Sequence, residues 1–312
     1  MDLINFYYNI KPFLPRRLQL ALRRKVFKKR LKNAHGTWPI SESAGTPPLG
    51  WQGWPEGKQF AVIITHDVES SRGLARCQRL AELDQSYGFK SAFNIVPCKY
   101  EVPDSIRNWL TDNGFEVGVH DYNHDGKLYK SKEVFDNRAI IINEYIKRWN
   151  VIGFRSAAMH HNLEWLSNLD ISYDCSTFDT DPFEPQSDGV NTIFPYLYQN
   201  EKTGRGFLEI PYTLPQDFTI FIIKQEKNCG IWKDKLRWIA EKGGMVTVIV
   251  HPDYINFDTA GKKRFDEYQN ELYSEFLFHI TNEYKGSFYN PLPGELATFV
   301  RNEYKDKNDS LL

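Results

Sequence analysis

Short apolar runs alternate with stretches of helical spacing over most of the chain. Residues 60–65 (FAVIIT) form an unbroken apolar run of strand length, and Leu74, Leu80, Leu83 and Tyr87 then share one side of a helix over 74–87 that Gly88 stops. The same reading predicts strands at 91–96, 115–119, 151–154, 171–173, 207–210 and 245–250, with helices over 104–112, 133–149 and 232–242 between them. Strands separated by helical stretches of this length mean βα units and a mainly parallel sheet. The expected fold is therefore α/β with an N-terminal basic helical arm, and seven such strands fit a barrel better than an open sheet, although periodicity alone is compatible with both.

Punctuation divides the chain. Residues 41–57 hold Pro47, Pro48, Pro55 and four glycines, which excludes regular structure there. The expected organisation is a basic helical arm over 1–36, a Pro/Gly/Trp-rich connector over 37–58, the barrel over 59–304 and a frayed tail over 305–312.

Charge alters this picture. The formal net charge of −1 argues against a nucleic-acid-coating protein, yet residues 1–40 carry ten basic residues against Asp2 alone, leaving 29 basic and 39 acidic residues for the rest. Along the arm, Leu18, Leu22 and Val26 fall on one side of a helix and Leu20, Phe27 and Leu31 on nearly the other. One stripe is therefore available to dock on the acidic body while the other, with the cations, meets an anionic membrane surface; a basic helix packed wholly on its own barrel is the competing reading. No apolar run reaches the roughly 20 residues of a membrane span, and Leu18–Leu22 is cut off by Arg23 and Arg24 before it reaches the length of a secretory signal. Four scattered cysteines form no CxxC pair, so neither a disulfide framework nor a thiolate zinc site is expected. The expected location is cytoplasmic, with peripheral attachment to the inner membrane face through 1–36.

In a parallel β/α barrel the working residues gather where strands end. Six of the eight histidines (His66, His120, His124, His160, His161, His251) fall at or just after predicted strand ends. His120 and His124 stand four apart, which brings both rings to one side if the chain turns helically there and suits two nitrogen ligands of one divalent metal. Asp67 and Glu69, two apart, project from one face of an extended segment. One of the pair is read as a metal ligand and the other as the base that takes a proton from water, with either assignment open. Arg155 is placed to orient the base carboxylate. His251, closing the most apolar strand, suits a general acid toward a leaving amine. His160, His161 and Asn162 are candidate substrate-binding residues, and Tyr122, Trp165, Tyr212 and Tyr254 lie near the same rim.

This order of strand-end carboxylates, His-x-x-x-His, a later arginine and Val248-Ile249-Val250-His251 resembles the polysaccharide deacetylases of carbohydrate esterase family 4, over about 60–253. The resemblance implies a distorted (β/α)7 barrel, one divalent metal, zinc first, held by an acidic residue and two histidines, and hydrolysis of an N-acyl group from a sugar. Carried over, Asp67, Arg155 and His251 are catalytic and Glu69, His120 and His124 hold the metal. The family's adjacent aspartates are replaced by Asp67-Val68-Glu69, a spaced form similar to deacylases of lipid-linked amino sugars. A backbone N–H just after Arg155 is the candidate oxyanion donor. The family's tryptophan-bearing motif is missing; residues 174–181 (DCSTFDTD) stand in its place. The expected partner is an N-acylated, lipid-linked sugar of surface-polysaccharide assembly. A catalytically inactive carbohydrate-binding relative and a hydrolase of another non-peptide C–N bond are the alternatives.

Overall fold

The computed structural model describes residues 14–258 and 263–309. All nine residues of β1 (Phe60–Val68) are buried, because the strand is covered on both faces. It pairs in parallel with β2 (Ala92–Ile95) on one side and with β8 (Met245–Val250) on the other, in the register His66↔Phe93 and His66↔Val250. β3 (Glu116–His120), β4 (Gly153–Arg155), β5 (Tyr173–Asp174) and β7 (Gly206–Glu209) continue the parallel order from β2. All seven expected strands are thus present and parallel.

The seven are not the whole sheet, which has nine strands. β6 (Tyr196–Gln199) adds an antiparallel strand to β7, and β11 (Phe288–Tyr289) pairs with the start of β1. Neither is visible as an apolar run, since β6 is half-exposed and β11 is two residues long. β9 (Ile255–Asn256) and β10 (Tyr268–Gln269) form a separate pair.

Between β7 and β8 the curled sheet meets through side chains. The Thr213 hydroxyl donates to Met245 O and accepts from Thr247 N, both at 2.9 Å, while Leu214 N donates to Thr247 O at 3.1 Å. The barrel is distorted at this seam.

The helix expected over 74–87 is broken into Ser71–Leu74 and Cys77–Ser86. Arg76, at the break, donates to the carbonyls of Pro252, Asp253 and Ile255 and to Glu267. A helix over Glu271–Glu283 and another over Pro293–Asp309 complete the shell. Proline at the first position of the second starts it, and no breaker follows before Asp309. Residues 310–312 and 1–13 of the arm lie outside the described residues.

The connector packs against the barrel. Trp54 is buried and its indole N–H donates to Gly243 O at 2.9 Å. The helix Arg16–Leu31 also lies on the barrel, burying Gln19, Leu20 and Phe27 and leaving Leu18, Leu22 and Val26 between 44% and 51% exposed. Arg24 donates twice to Ile222 O, and Arg30 to Pro182 O and Glu184 O, so the cations of the inner face satisfy orphan carbonyls of the barrel rim.

Candidate functional site

The alternation of β1 sorts its last residues into two sets. His66 points outward into the shell, where its ring meets Asp84 at 2.7 Å and Val250 O at 3.1 Å, fully buried. Asp67 and Glu69 point to the other side, into a cavity of about 770 Å³ at the strand ends.

Asp67 is held by its Oδ1, which accepts from Arg155 Nη1 at 2.8 Å and from Asn94 Nδ2 at 3.1 Å. Asn94 sits on β2 opposite Gly118, where a Cβ would stand 2.5 Å from its amide oxygen, so glycine there makes room for the amide. Arg155 is completely buried and donates further to Thr65 Oγ1 at 2.8 Å and Cys175 O at 2.9 Å. Burial pushes the Asp67 carboxyl up, but Arg155, aided by His120 and His251, more than reverses this and holds it well below the usual carboxylate range.

His120 ends β3 and its Nδ1 lies 3.0 Å from Arg155 O, an arrangement that puts the proton on Nδ1 and the lone pair on Nε2. Nε2 is buried and has no hydrogen-bond partner. Burial lowers the His120 pKa to about 4 against the pull of Asp67, which keeps the ring neutral. The chain does not turn helically after His120. Asp121 and His124 are left-handed, at φ +56° and +59°, and Asp121, Asn123 and Asp125 accept from nearby backbone N–H groups to shape the loop. The two imidazoles still meet, with ring centroids 4.9 Å apart.

Glu69 Oε1 lies 3.0 Å from His124 Nε2. One ligand atom each from Glu69, His120 and His124 fall within 4.8 Å of one another. A carboxylate oxygen and two imidazole nitrogens, one of them a buried lone pair with nothing to accept from, are a donor set that fits a divalent ion with open positions. Burial raises the Glu69 carboxyl, and His124 leads the interactions that bring it well below its ordinary value.

His251 closes β8 with its Nε2 4.0 Å from Glu69 Oε1. Its Nδ1 meets Asp217 Oδ1 at 2.6 Å, and its backbone N–H donates to Asp217 Oδ2 at 2.9 Å. Burial pulls the ring pKa down, but Asp217 overcomes this and pushes it up to about 10. The sequence reading missed Asp217, which also accepts from Tyr268 and from Phe218 N. It stands eight residues past the end of β7, too far along the chain for the strand-end rule to mark it.

The remaining candidates are distributed differently. Asn162 Oδ1 caps Trp165 N at 3.0 Å and His161 Nδ1 meets Met159 O at 2.9 Å. Neither these two nor His160 lines the cavity; Ala158 and Met159 do. Tyr212 is buried and donates to Asp181 and Glu184, and Trp165 packs on Tyr129 and Phe135. Ser156 N and Ala157 N, the amides after Arg155, already donate to Ser176 Oγ at 2.8 Å and Asp121 Oδ2 at 3.1 Å, so both are engaged within the protein.

The upper wall of the cavity comes from the arm. Arg16, Leu22, Arg23, Val26, Phe27 and Arg30 line it with Phe183, Glu184 and Phe218. Glu184 is buried beside Asp181, and burial followed by repulsion from Asp181 raises its pKa to about 8. The unfolded chain releases that proton near pH 4.5, so stability falls as pH rises from about 4.5 to 8. Glu184→Gln is expected to remove this fall, with a Tm above wild type at pH 8 and little change at pH 5. The same dependence of Tm on pH in both proteins across that range would exclude a raised Glu184 pKa.

No family model matches the chain, and no curated protein matches it in sequence. Solved structures do. A Mycobacterium smegmatis protein assigned to the polysaccharide deacetylases superposes with a TM-score of 0.59 at 15% identity, over 83% of this chain and 96% of that one. PuuE allantoinase superposes with a TM-score of 0.60 at 14% identity, over 81% of this chain and 93% of that one. The resemblance drawn from strand-end residues thus holds at the level of the fold, which this chain shares with a protein assigned to the polysaccharide deacetylases and with an allantoinase.

Proposed function

We propose that the protein is a metal-dependent hydrolase that removes an N-acyl group, acetyl first, from a sugar. The observation that carries this reading is the meeting of Glu69, His120 and His124 beside two separately held groups, the Arg155-bound Asp67 and the Asp217-bound His251, on one cavity wall. In it Glu69, His120 and His124 hold one divalent ion, zinc first, and Asp67 is the base. A divalent ion bound there supplies Lewis acidity toward the acyl carbonyl and lowers the pKa of water. Asp67, kept ionised by Arg155, takes a proton from the water that attacks the carbonyl carbon. His251, kept cationic by Asp217, gives its proton to the departing nitrogen as the C–N bond breaks, leaving acetate and an amino sugar. The low pKa of the Asp67 carboxyl and the high pKa of the His251 ring suit this division of labour.

The substrate reading is a lipid-linked sugar of surface-polysaccharide assembly, handled at the inner face of a membrane. Leu22 and Val26 support it, because both line the cavity and are also 44% and 51% exposed. An apolar chain leaving the cavity would run over this stripe, beside Arg17, Lys28 and Lys29 on the exposed side of the helix. No helix among the described residues is long and apolar enough to cross a membrane, so attachment in this reading is by surface contact.

A second reading, hydrolysis of another non-peptide C–N bond, is favoured by the likeness to an allantoinase. Zinc-loaded protein is to be given N-acetylated oligosaccharide, an N-acetylated glycolipid in anionic vesicles, and allantoin. Acetate release, faster from the glycolipid and suppressed by salt, is the expected result. Hydrolysis of allantoin alone selects the second reading, and no turnover of any of the three sinks both.

A further inference from the structure

Glu69 is held by the oxygen that faces away from the histidines. Its Oε2 accepts from the Tyr254 hydroxyl at 2.6 Å, while Oε1 faces His124 at 3.0 Å. The Tyr254 oxygen accepts in turn from Arg16 Nη2 at 3.3 Å, across 238 residues of sequence. Arg16 opens the N-terminal helix, and its guanidinium is braced over the rings of Phe218 and Tyr254 at 5.6 and 5.9 Å. A hydroxyl that accepts from a cation donates more strongly to a carboxylate, so the three groups form one polarised chain.

We propose that Tyr254 and Arg16 are positioning residues through which the N-terminal helix fixes the Glu69 carboxylate so that one oxygen is presented to a divalent ion. The proposal rests on the reading of Glu69, His120 and His124 as the ligand set. Three features support it. The two oxygens of Glu69 are divided between an outer hydrogen-bond donor and the histidine side, as a ligand bound through one oxygen requires. Tyr254 is 7% exposed and held by Phe218 at a ring separation of 4.8 Å, so its hydroxyl has a defined place. Arg16, on the described part of the arm, reaches Tyr254 directly by a hydrogen bond. The N-terminal helix is then tied to the proposed ligand Glu69 through two hydrogen bonds, besides being a wall of the cavity.

The test is zinc affinity of the full chain, measured by competition with a chromophoric chelator. Wild type is compared with Tyr254→Phe, Arg16→Ala, the double variant and Lys25→Ala, an exposed control on the same helix. Loss of an outer-shell partner typically weakens metal binding by about 10–100-fold, which is expected for Tyr254→Phe. Arg16→Ala is expected to weaken it less, and not at all when Tyr254 is already phenylalanine, because it acts through that hydroxyl. Lys25→Ala should match wild type. Zinc binding by Tyr254→Phe equal to wild type overturns the proposal, as does an Arg16→Ala effect that is unchanged in the double variant. Absence of zinc binding in wild type overturns the ligand-set reading and the relay with it, whereas equal affinities overturn the relay alone. Melting curves of the metal-free proteins identify any variant that does not fold; if Tyr254→Phe is one, Arg16→Ala against Lys25→Ala decides.

Discussion

Asp67→Asn is expected to lower deacetylation by about 10²–10⁴-fold, the range a positioned general base contributes, while zinc still binds. Asparagine keeps an oxygen for Arg155 but cannot take a proton. It also leaves the buried Arg155 guanidinium without its countercharge, since Oδ1 of Asp67 is the one carboxylate that guanidinium touches. Breaking a buried pair from one side costs about 3–5 kcal/mol, so the variant should melt well below wild type and must be assayed below its lowered Tm. A variant that binds zinc and keeps wild-type turnover would remove Asp67 from the mechanism. Loss of zinc together with turnover would instead make Asp67 a ligand and return Glu69 to the role of base.

Asp217→Asn should be nearly as costly, about 10²–10³-fold in turnover, because it acts on the general acid twice. It untethers the His251 ring, whose Nδ1 Asp217 holds at 2.6 Å, and withdraws the charge that raises its pKa to about 10. The raised pKa means that folding favours the protonated ring. That contribution to stability is complete below about pH 6.5 and is lost as pH rises toward 10. In Asp217→Asn the loss should begin nearer the ordinary histidine range, and the alkaline limb of turnover should move down with it. The readout that separates proton donation from mere packing is the substrate: an acyl ester with a good leaving group needs less acid assistance and should suffer less than the amide. An equal loss on both would assign Asp217 a structural role only.

How much of this could be read beforehand follows from the residues. β1, β2, β3 and β8 are buried on both faces and therefore appear in the sequence as continuous apolar runs. Their ends could be found, and with them Asp67, Glu69, His120 and His251. Arg155 was reached in the same way, from its place at the end of β4. The antiparallel β6 left no run because its side chains are partly exposed. The π-helical stretch Phe218–Lys224 is buried in nearly every position, so it carries no period, and Asp217 at its head had no recognisable element to mark it. Asn94 looked like one polar residue inside a strand; its meaning depends on Gly118 across the sheet, a pairing that spacing along one chain does not contain. Tyr254 is legible in the sequence only as a ring near the rim, because what it does with its hydroxyl is set by Glu69 and Arg16, 185 and 238 residues away.

The cavity wall supplied by the helix Arg16–Leu31 has a consequence for how such a protein can change. The groups proposed for bond breaking sit on strand ends from residue 67 onward, while the side chains that meet the distal part of a substrate include Leu22, Arg23 and Val26 on a single preceding helix. Reactivity and reach are therefore written in different stretches of the gene. Substitutions at Leu22, Arg23 and Val26 can alter which molecules are admitted without disturbing the reacting groups, so new specificities are accessible in few steps. Arg16 is the exception on that helix, because its contact with Tyr254 ties it to the groups of the cavity floor rather than to the adjustable wall.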